Sequence, residues 1–215
     1  MRRIKAVIFD LDGTIANTLP LCISAFRQAI EPLIKRPVSD GEIIATFGPS
    51  EEGTIKALAP AHYDKGVADY LRYYESSHHM CSTPFERISS LLGFLKEKGV
   101  HLSLVTGKGR YSTGISLKQF QLEEMFEFIE TGSPLGPRKP EAIQLILEKL
   151  ENVSKDEVIY VGDAPSDILS SREAGVASVA AAWAETSEPA KLLALQPDEL
   201  FYSIEEFFNW LKVKI

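Results

Sequence analysis

The spacing of apolar residues divides this chain of 215 residues into two regimes. Near the start, Val7, Ile8 and Phe9 form a short apolar run that reads as the end of a buried strand. From residue 85 onward, strand-like runs alternate with segments of helical period. In FERISSLLGFLKEKG, Ile88, Leu91, Leu92 and Leu95 share one helical face, and Gly99 supplies a C-terminal stop. VHLSLV predicts a strand ending at Thr106, residues 110–121 a helix, and FEFIE at 126–130 a short strand. Pro140 suits the first turn of a helix striped by Ile143, Ile146, Leu147 and Leu150. VIYVGD predicts another strand, followed by a helix over 166–174, the strand VASVAA and a closing helix near 204–213. Such alternation predicts a doubly wound, Rossmann-like α/β fold, with a parallel sheet covered by helices on both faces.

Residues 15–84 carry a different pattern, helical throughout. Leu19, Cys22, Ile23, Phe26 and Ile30 form one stripe; Tyr63, Val67, Tyr70, Leu71 and Tyr74 form another. SDGE at 39–42 matches a capping box, and Ser50 stands where it would cap a further short helix. A single crossover helix does not need about 70 residues. The segment is therefore predicted to be an inserted all-helical cap subdomain, with residues 1–14 and 85–215 forming the α/β core. A two-strand continuation hidden in the same stretch is the competing assignment. IAN at 15–17 marks where the chain leaves the sheet.

Composition narrows the class of function. A net charge of −7 argues against nucleic-acid binding, which needs a basic face. Cys22 and Cys81 are the two cysteines, too few for a disulfide framework, and free thiols in a reducing compartment are expected. The N-terminal stretch turns acidic too soon for a secretory signal. No run approaches the ~18 apolar residues of a membrane span. The expectation is a cytoplasmic protein, monomer or homodimer, with no nucleic-acid or membrane partner.

The polar residues collect at the predicted strand ends. VIFDLDGT runs a core strand straight into Asp10 and Asp12, although charges are rarely buried unless paired or bound to a metal. Residues two apart in extended chain point the same way, so both acids can face one site, and Gly13 permits a sharp turn. Thr106 and Gly107 follow a second strand, Asp163 a third, and Asp167 comes four residues later. Lys139 precedes a helix. Parallel strands put their carboxyl ends on one edge, where ligands bind in such sheets. Acids crowded there call for a divalent cation with oxygen ligands, Mg²⁺ above all. Together with Lys139 it would suit a phosphate dianion, one carboxylate attacking phosphorus while the other handles a proton. Each residue also has a structural reading: the aspartates as turn or helix caps, Thr106 as a strand-end hydroxyl, Lys139 as a surface lysine. TGKG at 106–109 lacks the rest of a phosphate loop and is discounted. His78, His79 and Cys81 read as a solvated helix end rather than a metal site. The tyrosine stripe reads as helix packing, and Trp183 stands near the loop edge of the site.

Four motifs in order, DLDGT at 10–14, VTG at 105–107, Lys139 in RKP, and GDAPSD at 162–167, resemble those of the haloacid dehalogenase-like hydrolase superfamily. FGPS at 47–50 is similar to a cap-loop feature of its phosphoglycolate phosphatases. The resemblance spans essentially the whole chain. It implies that Asp10 is the nucleophile, forming an aspartyl-phosphate, and that Asp12 protonates the leaving alcohol and then activates water. Thr106 and the Gly107 amide would bind phosphoryl oxygens next to Gly13, and Lys139 would steady the charge. Asp10, the Asp12 backbone carbonyl and Asp163 would hold Mg²⁺, with Asp167 directly or through water. An acid at position 12 separates phosphatases and phosphomutases from dehalogenases and phosphonatases. Two features depart from the pattern: Gly107 stands where many relatives have Asn, and TGSPLGPRKP lacks the acids some relatives place before their lysine, which leaves Arg138 as the competitor of Lys139. The implied activity is Mg²⁺-dependent hydrolysis of a small phosphorylated metabolite, phosphoglycolate foremost. A pyrophosphatase, a phosphomutase of the β-phosphoglucomutase kind and a non-catalytic regulatory protein are the alternatives. Amides at Ser50, with Lys56 and Arg72, are the expected cap contacts for a substrate carboxylate.

Overall fold

The computed structural model describes residues 3–215. Among them, six strands form one sheet: β1 (Ala6–Phe9), β2 (His101–Val105), β3 (Phe128–Glu130), β4 (Val158–Gly162), β5 (Ala177–Ala181) and β6 (Glu199–Phe201). Their spatial order is β3-β2-β1-β4-β5-β6, and every neighbouring pair is parallel. The chain winds outward from β1 in both directions, so β1 borders the switch point where a crevice opens beyond the strand ends. Phe9 lies opposite both Leu104 and Val161, and the residues that follow these three emerge side by side on that edge.

Alternate residues of β1 serve the two faces of the sheet. Val7 and Phe9 enter the larger core with α5 (Ile88–Glu97) and α10 (Ile204–Lys212), while Ala6 and Ile8 pack with α7 (Lys139–Lys149). All four are essentially inaccessible, and the Phe9 and Phe207 rings meet edge to face at 6.4 Å. Fully burying such a side chain is worth roughly 1.5–3 kcal/mol, so Ile8→Asp would break the sheet at its centre. Helices α6 (Arg110–Phe120), α8 (Pro165–Ala174) and α9 (Pro189–Ala194) complete the layers. The short edge strand β6 and α9 were not anticipated from the sequence. β6 has three half-buried residues, and its position is secured from outside by the Asp198 carboxylate, which accepts from the Ser178 amide and hydroxyl.

Residues 15–84 contain α1 (Leu19–Ile34), α2 (Asp40–Ile44), α3 (Glu51–Leu58) and α4 (Tyr63–Ser76), with no strand among them. Ser39 and Glu42 close the expected capping box on α2. Ser50 occupies the N-cap of α3 without a side-chain cap bond. α1 and α4 pack together through Phe26 and Tyr70, whose rings are 4.3 Å apart, and Tyr74 continues the stack. The Phe85 amide donates to the Ile15 carbonyl at 3.0 Å, so the chain leaves the sheet and rejoins it at one crossing point. One expectation is corrected here. His78 and Cys81 are buried rather than solvated, with His79 alone of the three exposed. His78 bonds the Cys81 carbonyl through Nδ1 and the Ser116 hydroxyl through Nε2, because the chain past α4 is packed down onto α6. No helix is long and apolar enough to cross a membrane among the described residues.

Candidate active site

The turn after β1 is built to bring backbone close to an acid. The Leu11 carbonyl accepts from the Ile15 amide at 2.9 Å and the Gly13 amide donates to the Ala16 carbonyl at 2.8 Å, folding residues 11–16 into a compact knot. Gly13 has a φ of 78°, and a Cβ there would collide with the Asp163 carboxylate. Glycine is required on both counts. Thr14 donates to Asp163 at 3.3 Å, and the Trp183 indole N–H donates to the Thr14 carbonyl at 3.0 Å. Trp183 thus props the turn and does not line the cavity above it.

Asp10, Asp163 and Asp167 each offer a carboxylate oxygen within 4.8 Å of the others. Lys139 Nζ lies 3.0 Å from Asp10 Oδ2 and 2.5 Å from Asp167 Oδ1. Asp167 also accepts from the Tyr160 hydroxyl at 3.2 Å and the Ala164 amide at 2.9 Å, so both its oxygens are engaged. Asp10 Oδ1, by contrast, is buried without a hydrogen-bond partner among the described residues. Burial pushes the Asp10 carboxyl up to about 7; Lys139 pulls it down, and Asp167 and Asp12 push it further up. Burial, with Asp10 and Asp167, holds Asp163 well above the usual carboxylate range. Burial opposes the charge on Lys139, but Asp10 and Asp167 outweigh it and keep the ammonium protonated. Three acids against one lysine leave negative charge uncompensated around an orphaned oxygen. That donor set fits a hard divalent cation, with Asp10 and Asp163 the open ligands and Asp167 already committed to Lys139. Arg138 is occupied elsewhere, on Glu130 at 3.3 Å and the Thr131 carbonyl at 2.9 Å.

Asp12 sits in a separate environment. Its Oδ1 accepts from the Thr18 hydroxyl and lies 3.2 Å from Lys108 Nζ. Lys108 is a buried cation that the discounted TGKG stretch concealed. Its ammonium also contacts Cys22 Sγ at 3.0 Å and lies 4.4 Å from the Tyr74 ring centroid. Burial works against that charge, and Asp12 together with Cys22, Tyr74 and Tyr70 more than offsets it. The signal for it in the sequence is a lysine directly after a strand-end Thr-Gly. Thr106 is buried, accepts the Lys108 amide at 3.2 Å and lines the cavity together with Gly107.

Asp10, Asp12, Gly13, Thr106, Gly107, Lys139 and Asp163 thus converge on one cavity of about 550 Å³ between the sheet edge and the helical segment. The cap contacts were read differently from the sequence. Ser50 is buried and outside the cavity lining; its amide donates to the Ser133 carbonyl at 2.9 Å and its hydroxyl to Glu52 at 2.5 Å. Lys56 and Arg72 are exposed and away from the cavity, Arg72 pairing with Asp69 at 3.0 Å. The missed cap residue is Glu51, buried and bonded to the Gly109 amide at 2.6 Å and the Ser112 hydroxyl at 2.5 Å. It ties the start of α3 to the start of α6.

A model of the haloacid dehalogenase-like hydrolases matches residues 7–181. The chain belongs to that family. It is 34% identical over 197 residues to pyrophosphatase PpaX of Bacillus pumilus, covering 91% of this chain and 90% of that protein. A haloacid dehalogenase-like family hydrolase from Streptococcus pneumoniae has a TM-score of 0.77 at 27% identity, over 96% of this chain and 98% of that one. A predicted phosphoglycolate phosphatase from Haemophilus somnus shares the fold along the full length of both chains, with a TM-score of 0.79 at 20% identity. The four motif segments of this haloacid dehalogenase-like hydrolase meet at its cavity.

Proposed function

We propose that the chain hydrolyses a small phosphomonoester with Mg²⁺ through an aspartyl-phosphate on Asp10. The observation carrying this reading is the contrast in surroundings of two acids two positions apart. Asp10 is clamped by Lys139 among acids, while Asp12 is held by Thr18 and Lys108. Asp10, Asp163 and the Asp12 carbonyl, with Asp167 directly or through water, would hold Mg²⁺, which would supply positive charge to offset that of the carboxylates and the phosphoryl group. An Asp10 carboxylate oxygen attacks phosphorus as the ester P–O bond breaks, and Asp12 gives its proton to the departing oxygen. Asp12 then takes a proton from water, whose oxygen attacks phosphorus and releases phosphate from Asp10. Thr106 and the Gly107 amide hold phosphoryl oxygens, and Lys139 favours the ionised form of Asp10 and orients it. Fixed charges and positioning carry such a reaction.

Similarity to pyrophosphatase PpaX of Bacillus pumilus favours a second reading, pyrophosphate hydrolysis with the same machinery. Purified protein assayed for phosphate release on a monoester panel and on pyrophosphate, with and without a chelator, tests both. Turnover that needs Mg²⁺ and disappears in Asp10→Asn is expected. Chelator-resistant turnover, or an active Asp10→Asn, would overturn the mechanism.

A further inference from the structure

The cap side of the cavity is apolar. Leu19, Cys22, Phe26, Phe47 and Tyr70 line it, with the Phe26 ring 4.3 Å from Tyr70 and 6.0 Å from Phe47. Among the described residues lining the cavity, three are cationic: Lys108, Arg138 and Lys139. Each is already committed, Lys108 to Asp12, Arg138 to Glu130, and Lys139 to Asp10 and Asp167. The one acid contributed by the helical segment to the lining, Glu51, adds charge of the wrong sign for an anion. A second phosphoryl group or a carboxylate on the leaving side would be stripped of water beside aromatic rings with no cation free to receive it. The space is also generous: about 550 Å³ equals roughly 18 waters at ~30 Å³ each, well beyond a second phosphoryl group.

We infer that the leaving group of the substrate is neutral and apolar, an aryl or arylalkyl alcohol seated between Phe26, Phe47 and Tyr70, rather than pyrophosphate or a carboxylate-bearing alcohol. This rests on the phosphatase reading and narrows its substrate class. Benzyl phosphate and phosphoglycolate are both primary alkyl esters, so their intrinsic reactivity is matched and the cap chemistry sets their ratio. The wild-type protein in Mg²⁺ should favour benzyl phosphate over phosphoglycolate and over pyrophosphate by about tenfold or more in kcat/KM. Phe47 is 40% exposed at the rim, so a charged side chain there is compatible with folding. Phe47→Arg should move the ratio toward the two anionic substrates by about tenfold, while Phe47→Leu keeps the wild-type order. Equal or better turnover of phosphoglycolate or pyrophosphate by the wild type leaves the phosphatase standing and overturns the inference. A ratio unmoved by Phe47→Arg also overturns it. Hydrolysis of none of the three alongside turnover of another monoester overturns the inference alone; no turnover across the whole monoester panel removes the phosphatase reading with it.

Discussion

Stripped of divalent cations, the folded protein should be more stable in mild acid than in mild base. Asp10 titrates near 3.8 in an unfolded chain and at about 7 in the fold. Between those values the unfolded chain has lost its proton and the folded one keeps it, so stability falls as pH rises and levels off above about 7. From about pH 5 to about pH 8 roughly two pH units of this difference are crossed, about 3 kcal/mol at ~1.36 kcal/mol per unit. For a chain of this size that lowers Tm by about 5–10 °C. Asp163, also raised, acts in the same direction. His78 acts against it: burial lowers its pKa, so its contribution is lost as pH falls below the ordinary histidine value. Glu157, held at about 2 by Lys5 and Ser154, changes stability only at more acid pH. The assay is thermal unfolding in chelator across this range, for wild type and for Asp10→Asn, which cannot titrate at position 10. The difference between the two slopes reports the Asp10 titration together with its electrostatic effect on Asp163. Mg²⁺ at about 100 times its Kd should add about 2.7 kcal/mol where the site is deprotonated, near pH 8, and clearly less near pH 5, where protons compete. Identical slopes in wild type and Asp10→Asn, or a Mg²⁺ shift in Tm independent of pH, would refute the placement of a cation at Asp10.

Lys108→Met keeps the buried stem and removes the charge beside Asp12. Because Asp12 is partly exposed, Tm should move little, while kcat falls about 10²-fold and its pH profile shifts; an unchanged profile would sever Lys108 from Asp12. Glu51→Ala leaves the buried Gly109 amide unpaired at the junction of α3 and α6 and the Ser112 hydroxyl with only the Gly109 carbonyl at 3.3 Å, costing about 1–3 kcal/mol in denaturant unfolding. Gly13→Ala puts a methyl group into Asp163 at a positive φ; a loss of about 1–3 kcal/mol is expected, and the Mg²⁺-induced rise in Tm should vanish with it.

Much of the architecture was legible because its signals are local. Strand runs and helical stripes recur with periods that backbone geometry imposes, and β1, β2, β4, β5 and α5 lie where those patterns place them. Parallel pairing follows from strand–helix alternation, and it alone brings the ends of β1, β2 and β4 to one edge. Asp10, Thr106 and Asp163 could therefore be grouped before any coordinate was known. β6 escaped because three half-buried residues carry no period, and its anchor at Ser178 is 20 residues from Asp198. Lys108, Glu51 and His78 escaped for a related reason. Their partners, Asp12, Gly109 and Ser116, lie 96, 58 and 38 positions away, and burial of a charged or polar side chain is a property of the packed interior. The chain by itself thus determined a doubly wound sheet delivering paired acids to its carboxyl edge, since periodicity and strand direction are written residue by residue. Only the tertiary structure decided which cations those acids meet and that the chamber above them is aromatic, since pairing, desolvation and cavity shape arise between segments far apart in sequence.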